Sequence, residues 1–408
     1  MAISSMTGLG TASGGLMDRI AGKMSGRAER GAKVRGKTGP LADLYLSQLI
    51  PAALLVIVGV VTIWSASLTI AEARFTSHLV GIALGAVFAA LVWRYDTRAL
   101  SGMVTILLVL DCFLMIMPHL PGLGFEAKGM TGWVQLPFIH LRFQPSEPAK
   151  LVTIFLMAGA SAQYNGKIET FTDYAKLCGT LLLPLGLLVV TDLGTGLVIL
   201  FAGAAIIICS GAPSKWVVPT IGLIVATVAL VVWSSMTDGL PHILKDYQLK
   251  RLIVFVDEAA DPSGYGYNLR QAKIAVGSGG LLGKGIGNAS QAGSGFLPEA
   301  HTDFVFALFA EQFGFVGSVV LLGLFAWMIL ATLLLAVRID NPFSKMVLVG
   351  CCGMWTFQVL ENIGMCIGIM PITGIPLPFI SFGSSSMVSQ LIAVGMVQSV
   401  WRHRQKAA

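Results

Sequence analysis

Charge is what this sequence has least of: 12% of its 408 residues are charged, against 55% hydrophobic. A soluble domain carries about 25% charged residues. With a mean hydropathy of +0.78, the chain reads as a polytopic membrane protein, and a soluble or secreted globular enzyme is excluded. Paired cysteines are missing too. Cys112, Cys178, Cys209, Cys351, Cys352 and Cys366 all fall inside apolar runs, with no Cys-x-x-Cys among them. They read as small buried hydrophobes, not as a disulfide framework. No His-x-x-x-His spacing occurs, so nothing points to a His/Cys metal centre. The first 40 residues are basic and Gly/Ser-rich without an apolar core, so no cleavable signal peptide is expected.

What is present is a series of apolar runs. A helix needs about 20 apolar residues to cross a bilayer. Spans are predicted near 44–70, 76–93, 101–118, 149–162, 177–191, 193–211, 216–236, 303–337, 344–368 and 384–401. As one helix, 177–211 would be about 50 Å long, too long for the hydrocarbon core. Asp192 and Gly194 interrupt it in "VVTDLGTGLV". Charge supports the split. With ten spans and both termini cytoplasmic, 17 of the 27 Lys and Arg residues fall inside, and 6 of the rest lie in the long outer loop 237–302. Short loops dominate the positive-inside rule, and one span fewer would put the basic tail "WRHRQK" outside. The expected organisation is a basic cytoplasmic tail 1–43, an all-α membrane domain 44–401 and a short cytoplasmic tail 402–408.

A loop of 66 residues exceeds what a connection needs. Its apolar stretches "RLIVFV" and "AKIAV" imply that it packs back onto the membrane domain, with "NLRQAKIAV" as a short amphipathic helix. Its glycine-rich stretch "GSGGLLGKGIG" fails both nucleotide motifs. Ser278 and Gly285 stand where a P-loop needs Gly and Ser/Thr, and Leu282 stands where a dinucleotide fingerprint needs Gly. Two readings stay open: a tight backbone close to the bilayer, or glycines that admit a bulky ligand.

Ionisable groups within spans are costly and often functional. They are Asp111, Asp192, Glu311 and Glu361, with Glu147 and Lys150 at a helix start in "QPSEPAK". Glu147 and Lys150 are three apart, share a helix face and can pair. For each, an interhelical structural bond is the alternative. The segment 368–386, rich in proline and glycine, cannot be a regular helix. At membrane depth it must be buried or line a cavity. Segments 133–150, 191–195, 251–303 and 368–386 all fall on the outer side, which suggests one site there.

Those segments also carry a resemblance. "FQPSEPAK", "DLGTGL", "DPSGYGYNLRQAKIAVGSGGLLGKG", "FLPEAHTDFVFALFAEQFGFVG" and "NIGMCIGIMPITGIPLPFISFGSSS" resemble the ordered motifs of the SEDS family, most nearly its RodA branch. The family also contains FtsW and sporulation relatives. The resemblance implies ten transmembrane helices and a peptidoglycan glycosyltransferase that polymerises lipid II at the outer face of the bacterial cytoplasmic membrane. It implies elongation and cell shape as the role, with division as the alternative. It also implies a class B penicillin-binding transpeptidase and elongation-complex proteins as partners, and no nucleic acid. The family's essential aspartate matches Asp261. Arg142, Glu147, Lys150, Asp192, Arg251, Gln271, Lys273, His301 and Ser384 are the expected substrate-binding residues around it. The sequence departs from the pattern at Glu258, Glu361, Phe382 and Ser384.

The chemistry fits those residue types. Glycan polymerisation joins a sugar hydroxyl to an anomeric carbon carrying a pyrophosphate–lipid leaving group. The attacking 4-hydroxyl needs a general base, for which Asp261 is the best candidate. The leaving pyrophosphate needs positive charge, available from Arg142, Lys150, Arg251 and Lys273. A divalent cation, Mg or Mn, bridging phosphate to Asp192 or Asp261 is the other source, and the sequence leaves the two open. The rival readings are a lipid II flippase, which would spread polar groups through the midplane, and a purely structural scaffold.

Overall fold

The structure is a computed structural model that describes residues 43–121, 123–127, 130–135, 142–189, 192–237, 244, 246–293 and 295–404. Ten helices stand at the ten predicted places. They are α1 (Leu46–Ser67), α2 (Phe75–Arg94), α3 (Val104–Ile116), α4 (Ser146–Ala162), α5 (Phe171–Val189), α6 (Leu193–Cys209) and α7 (Ser214–Met236). After the long loop, with its helices α8 (Asp246–Val256) and α9 (Tyr265–Ser278), come α10 (Val305–Arg338), α11 (Pro342–Ile367) and α12 (Ser384–His403). Five of them, α1, α2, α7, α10 and α11, are long and apolar enough to cross a membrane on those grounds alone.

The doubtful stretch 177–211 is two helices, as charge and length required. α5 ends at Val189, and Asp192 caps α6 by accepting from the Thr195 N–H at 3.0 Å. α11 shows the same local logic at both ends. Asn341 accepts from the Ser344 N–H at 2.9 Å, Pro342 occupies the first turn, and Gly368 closes the helix with φ of 78°. The spans pack around α11, whose apolar window is 78% buried, whereas that of α7 is 6% buried. α2 and α12 approach closely because glycines face the contact. A side chain on Gly85 would meet Leu391 at 2.7 Å, and one on Gly395 would meet the Ala89 carbonyl at 2.6 Å.

The all-α expectation needs one addition. Between α3 and α4 lies a small antiparallel sheet of β1 (Gly124–Ala127), β2 (Met130–Gln135) and β3 (Arg142–Phe143), in the order β1-β2-β3. Gly124 pairs with Val134, and Gln135 pairs with Arg142.

α10 is not one continuous helix. It breaks at Gly314, where φ is 66° and ψ is −164°. The glycine-rich segment fills the break. Gly280 and Leu281 carbonyls accept from the Phe315 and Val316 N–H groups at 2.9 and 3.0 Å. The Lys284 and Gly285 N–H groups donate to the Glu311 and Gln312 carbonyls, both at 3.0 Å. Backbone lies on backbone here. A Cβ on Gly283, which also needs a φ of 81°, would collide with the Gln312 carbonyl. Gly279 and Gly283 therefore serve close packing, the first of the two open readings, whereas a Cβ on Gly277 or Gly280 would meet nothing within 4 Å.

Glu311, fully buried on α10, fixes the same segment. Its carboxylate accepts from Lys284 Nζ at 2.7 Å, from the Ser290 N–H at 2.9 Å and from the Gln291 N–H at 3.0 Å. The broken segment is buried in protein at Ile375 and over 377–381, whereas Ile369 at its start is 66% exposed. Asn362 Nδ2 donates to the carbonyls of Asp303 (2.7 Å) and Ile375 (2.8 Å), and Ser381 Oγ donates to that of Thr302 at 2.7 Å.

Candidate active site

Asp261 stands between a one-turn 3₁₀ segment, Glu258–Ala260, and the start of α9. Asp257 sets up that turn by accepting from the Ala259 N–H at 2.9 Å. Asp261 is half-buried, and its Oδ2 accepts from the Tyr265 N–H at 2.8 Å in the first turn of α9. That bond fixes the carboxylate against a helix N-terminus, where negative charge is favoured. The two glycines of "DPSGYG" are required at this spacing. A Cβ on Gly264 would lie 2.8 Å from the Asp261 carboxyl carbon, and one on Gly266 would lie 2.6 Å from its carbonyl oxygen. Among the described residues none donates to Asp261 Oδ1.

Two cations stand on the helices beside it. Lys273 of α9 pairs with Glu258, and both side chains keep about a third of their surface exposed, 38% and 31%. Lys273 lies across the end of α11, where Gly368 leaves room: a Cβ there would come within 2.5 Å of Nζ. Arg251 of α8 donates through Nη1 to the Thr373 carbonyl at 2.9 Å. Its guanidinium lies 4.9 Å from the Tyr265 ring centre and 5.7 Å from that of Tyr247. Arg251 thereby ties α8, α9 and the broken segment together. Asp303 joins at the same point. A Cβ on Gly374 would sit 3.2 Å from Asp303 Oδ2 and 3.7 Å from Arg251 Nη1.

A second polar group forms at the start of α6. Asp192 accepts from Thr195 Oγ1 at 2.7 Å, Gln144 Nε2 at 3.0 Å and Ser146 Oγ at 3.4 Å, besides its capping bond. The two groups meet at Thr373. The carbonyl that Arg251 holds is 3.0 Å from where a Cβ on Gly194 would lie. Tyr247 feels both. Burial raises its phenol pKa, the Arg251 charge lowers it, and the Asp192 charge raises it again.

The profile of the cell cycle protein family FtsW/RodA/SpoVE matches residues 46–406. The probable peptidoglycan glycosyltransferase FtsW of Thiomicrospira cyclica is 33% identical over 89% of this chain and 91% of its own. The peptidoglycan glycosyltransferase MrdB of Escherichia coli is 32% identical over 88% and 93%. The chain belongs to the FtsW/RodA/SpoVE family. Among solved structures, a chain from a study of polymerization and crosslinking by a peptidoglycan synthase complex aligns with a TM-score of 0.72 and 29% identity, over 88% of this chain and 98% of that one. The rod shape determining protein RodA of Thermus thermophilus aligns with a TM-score of 0.64 and 28% identity, over 88% and 97%.

Against that family frame, the expected site residues divide. Asp261, Arg251 and Lys273 are linked through neighbours, since Arg251 lies over the ring of Tyr265, whose N–H holds Asp261, and Lys273 pairs with Glu258, three residues before Asp261; Gln271 is half-buried on the same helix as Lys273. Asp192 joins them through its neighbours. Ser384 instead donates to the Ser77 carbonyl at 3.0 Å and holds α12 to α2. His301 is buried, its ring 5.5 Å from that of Phe382, and its carbonyl accepts from the Phe382 N–H at 2.8 Å. Arg142 belongs to β3, and its side chain lies outside the described residues. Lys150 is held in the ion pair that its spacing from Glu147 predicts. It and Glu147 are each 2% exposed and paired at 2.9 Å, so its charge is already answered and a direct phosphate contact would require breaking the pair. Tyr247 and Asp303 were not anticipated. Asp303 was signalled only by its place in "EAHTDF", and Tyr247 by nothing but its distance of four from Arg251.

The buried pair generates a stability prediction. Lys150→Ala alone should destabilise the chain by about 3–5 kcal/mol, because it strands a buried carboxylate. Glu147→Leu with Lys150→Met should recover most of that loss. Melting curves of the purified variants check it, and a double variant that melts as low as the single would show that the pairing is not what Lys150 contributes.

Proposed function

We propose that this integral membrane protein polymerises lipid II into peptidoglycan strands, with Asp261 as the general base. The observation that carries the reading is the carboxylate of Asp261. One oxygen is fixed by the Tyr265 N–H, and no described residue donates to the other. A base must be held in place and still have a lone pair free for the proton it takes. The acceptor sugar presents its 4-hydroxyl to Oδ1. As the oxygen attacks the anomeric carbon of the donor, its proton passes to Asp261 and the bond to the pyrophosphate–lipid breaks. An α-linked donor gives a β-linked product in one inverting displacement, so one base is sufficient and no covalent intermediate is formed. Charge grows on the departing pyrophosphate. Arg251 and Lys273 are the cations placed to meet it, Lys273 by exchanging part of its contact with Glu258 for phosphate.

The donor set argues against a cation bridge at Asp192, because its oxygens are already engaged by Thr195, Gln144 and Ser146. The clustering of these groups at one end of the helices favours chemistry at a membrane surface over headgroup transport through the midplane, the flippase alternative. RodA-like wording of the motifs favours elongation and cell shape over division.

Asp261→Asn should lower strand synthesis from lipid II by about 10²–10⁴, since the amide keeps the size and hydrogen bonding but cannot take the proton. Asp257→Asn, which touches only the 3₁₀ turn, should lower it far less. Glycan strands resolved on a gel decide it. Near-normal synthesis by Asp261→Asn would move the search for the base to Asp192 or Glu147.

The reading places the protein in the bacterial cytoplasmic membrane with both termini cytoplasmic and the loop 237–302 outside, as the charge distribution favours. A membrane-impermeant thiol reagent should then label Ser263→Cys in intact cells. Labelling only after lysis would reverse the orientation.

A class B penicillin-binding transpeptidase is the proposed partner, alongside elongation-complex proteins. Its single transmembrane helix would dock on α10, whose Val319, Val320 and Trp327 are exposed. α11, the other expected docking helix, is too buried to contribute much. Gly323 is the residue to probe, since its Cβ would meet nothing within 4 Å, whereas a side chain on Gly317 would strike Phe313 of its own helix. Gly323→Trp should abolish co-purification with the partner; a complex that survives it would remove this face.

A further inference from the structure

The stretch from Pro371 to Pro376 crosses the site without a backbone–backbone hydrogen bond to any described residue. Side chains hold it instead. Asn362 Nδ2 takes the Ile375 carbonyl at 2.8 Å, and Arg251 Nη1 takes that of Thr373 at 2.9 Å. The third tie is the Thr373 hydroxyl, which donates to Glu361 Oε1 at 2.8 Å. Thr373 is therefore gripped from both sides, its side chain by α11 and its carbonyl by α8. Gly374, next in the chain, has a φ of 78°. Glycine restrains its own backbone least, so the setting of the 373–374 peptide depends on these ties.

Stability does not account for Glu361. It is 2% exposed. Glu147 and Glu311, the other buried glutamates among the described residues, are each paired with a lysine. Glu361 is met by the Thr373 hydroxyl, and no described cation pairs with it. A carboxyl buried at the outer end of a membrane helix with one neutral partner costs the fold free energy that an apolar side chain of its size would not. Glu361 is also a departure from the family pattern, so the pattern does not explain it either. What it does have is one precise contact, to the residue whose carbonyl anchors Arg251.

We propose that Glu361 is a positioning residue for Arg251. It fixes the rotation of Thr373 and thereby the carbonyl that holds Nη1. The guanidinium, lying over Tyr265 and Tyr247, is then set in one place, and Nη2, which bonds to no described residue, is kept for the departing pyrophosphate. Glu361 touches no substrate in this role. The inference rests on the transferase reading above, in which Arg251 meets the charge that grows on the leaving group.

Strand synthesis from lipid II by the purified full chain tests this, with melting curves alongside. Glu361→Leu should lower kcat about tenfold, because a misplaced Arg251 fails to meet transition-state charge, while KM changes by less than about twofold. Its Tm should be unchanged or higher, since a buried carboxyl has been removed. Glu361→Gln keeps an oxygen that accepts from Thr373 and should recover most of the rate. Thr373→Val should lose the rate as Glu361→Leu does, and the two together should lose no more than either alone, because they remove one tie. In an Arg251→Gln background, Glu361→Leu should have no further effect. A purely structural role gives the reverse: Tm falls, and the loss of rate persists without Arg251. That result, a full rate in Glu361→Leu, or normal synthesis by Arg251→Gln would overturn the proposal. Should Arg251→Gln make no measurable strand, the two Glu361 variants decide, and equal loss in both overturns it. Absence of synthesis by the unsubstituted chain would instead remove the transferase reading, and this proposal with it.

Discussion

The carboxylate of Glu311 has no access to solvent, so everything it needs must come from protein. It draws Lys284, Ser290 and Gln291 down onto α10. Those residues end the glycine-rich segment that begins where α9 stops, so the position of α9 is fixed from its far end. The near end of α9 carries Asp261. A charge buried in one helix thus sets where a base sits on another. The same segment satisfies the backbone groups freed by the break at Gly314, which is why a helix of 34 residues can bend there without leaving donors unpaired.

The site is assembled from side chains that are mostly occupied. Arg251 and Asp192 hold partners from other stretches of chain, Thr373 and Tyr265 for the one and Gln144 and Ser146 for the other, while Glu147 and Lys150 hold each other within α4. What distinguishes Asp261 is an oxygen left over. In a low-dielectric setting most polar groups are consumed by structure, and a spare lone pair on a fixed carboxylate is the exception that chemistry can use.

Much of this could be read from residue order alone. Ten spans follow from apolar run length, and the break at Asp192 follows from the physical limit on helix length. The pairing of Glu147 with Lys150 follows from spacing. Other features were hidden because they depend on residues far apart. Nothing near Lys284 announces that its partner is Glu311, 27 residues on, or that its neighbours plug a helix break. The alternation in 124–135 was too short to signal a sheet beside so many helical runs. Ser384 stood in the right motif, yet its hydroxyl donates to the Ser77 carbonyl, a contact that only the packing of α12 on α2 reveals.

The segment 279–285 and the stretch 310–316 share their backbone hydrogen bonds across the break in α10. Neither is complete without the other. For anyone recombining such proteins, the two behave as a single cassette, though residues 286–309 separate them. Grafting the loop alone from a relative would pair foreign carbonyls with a native kink, and any insertion between residues 280 and 285 would shift the register of both. Length variation is therefore expected to be tolerated beyond residue 291, after the last donor to Glu311, and refused before it.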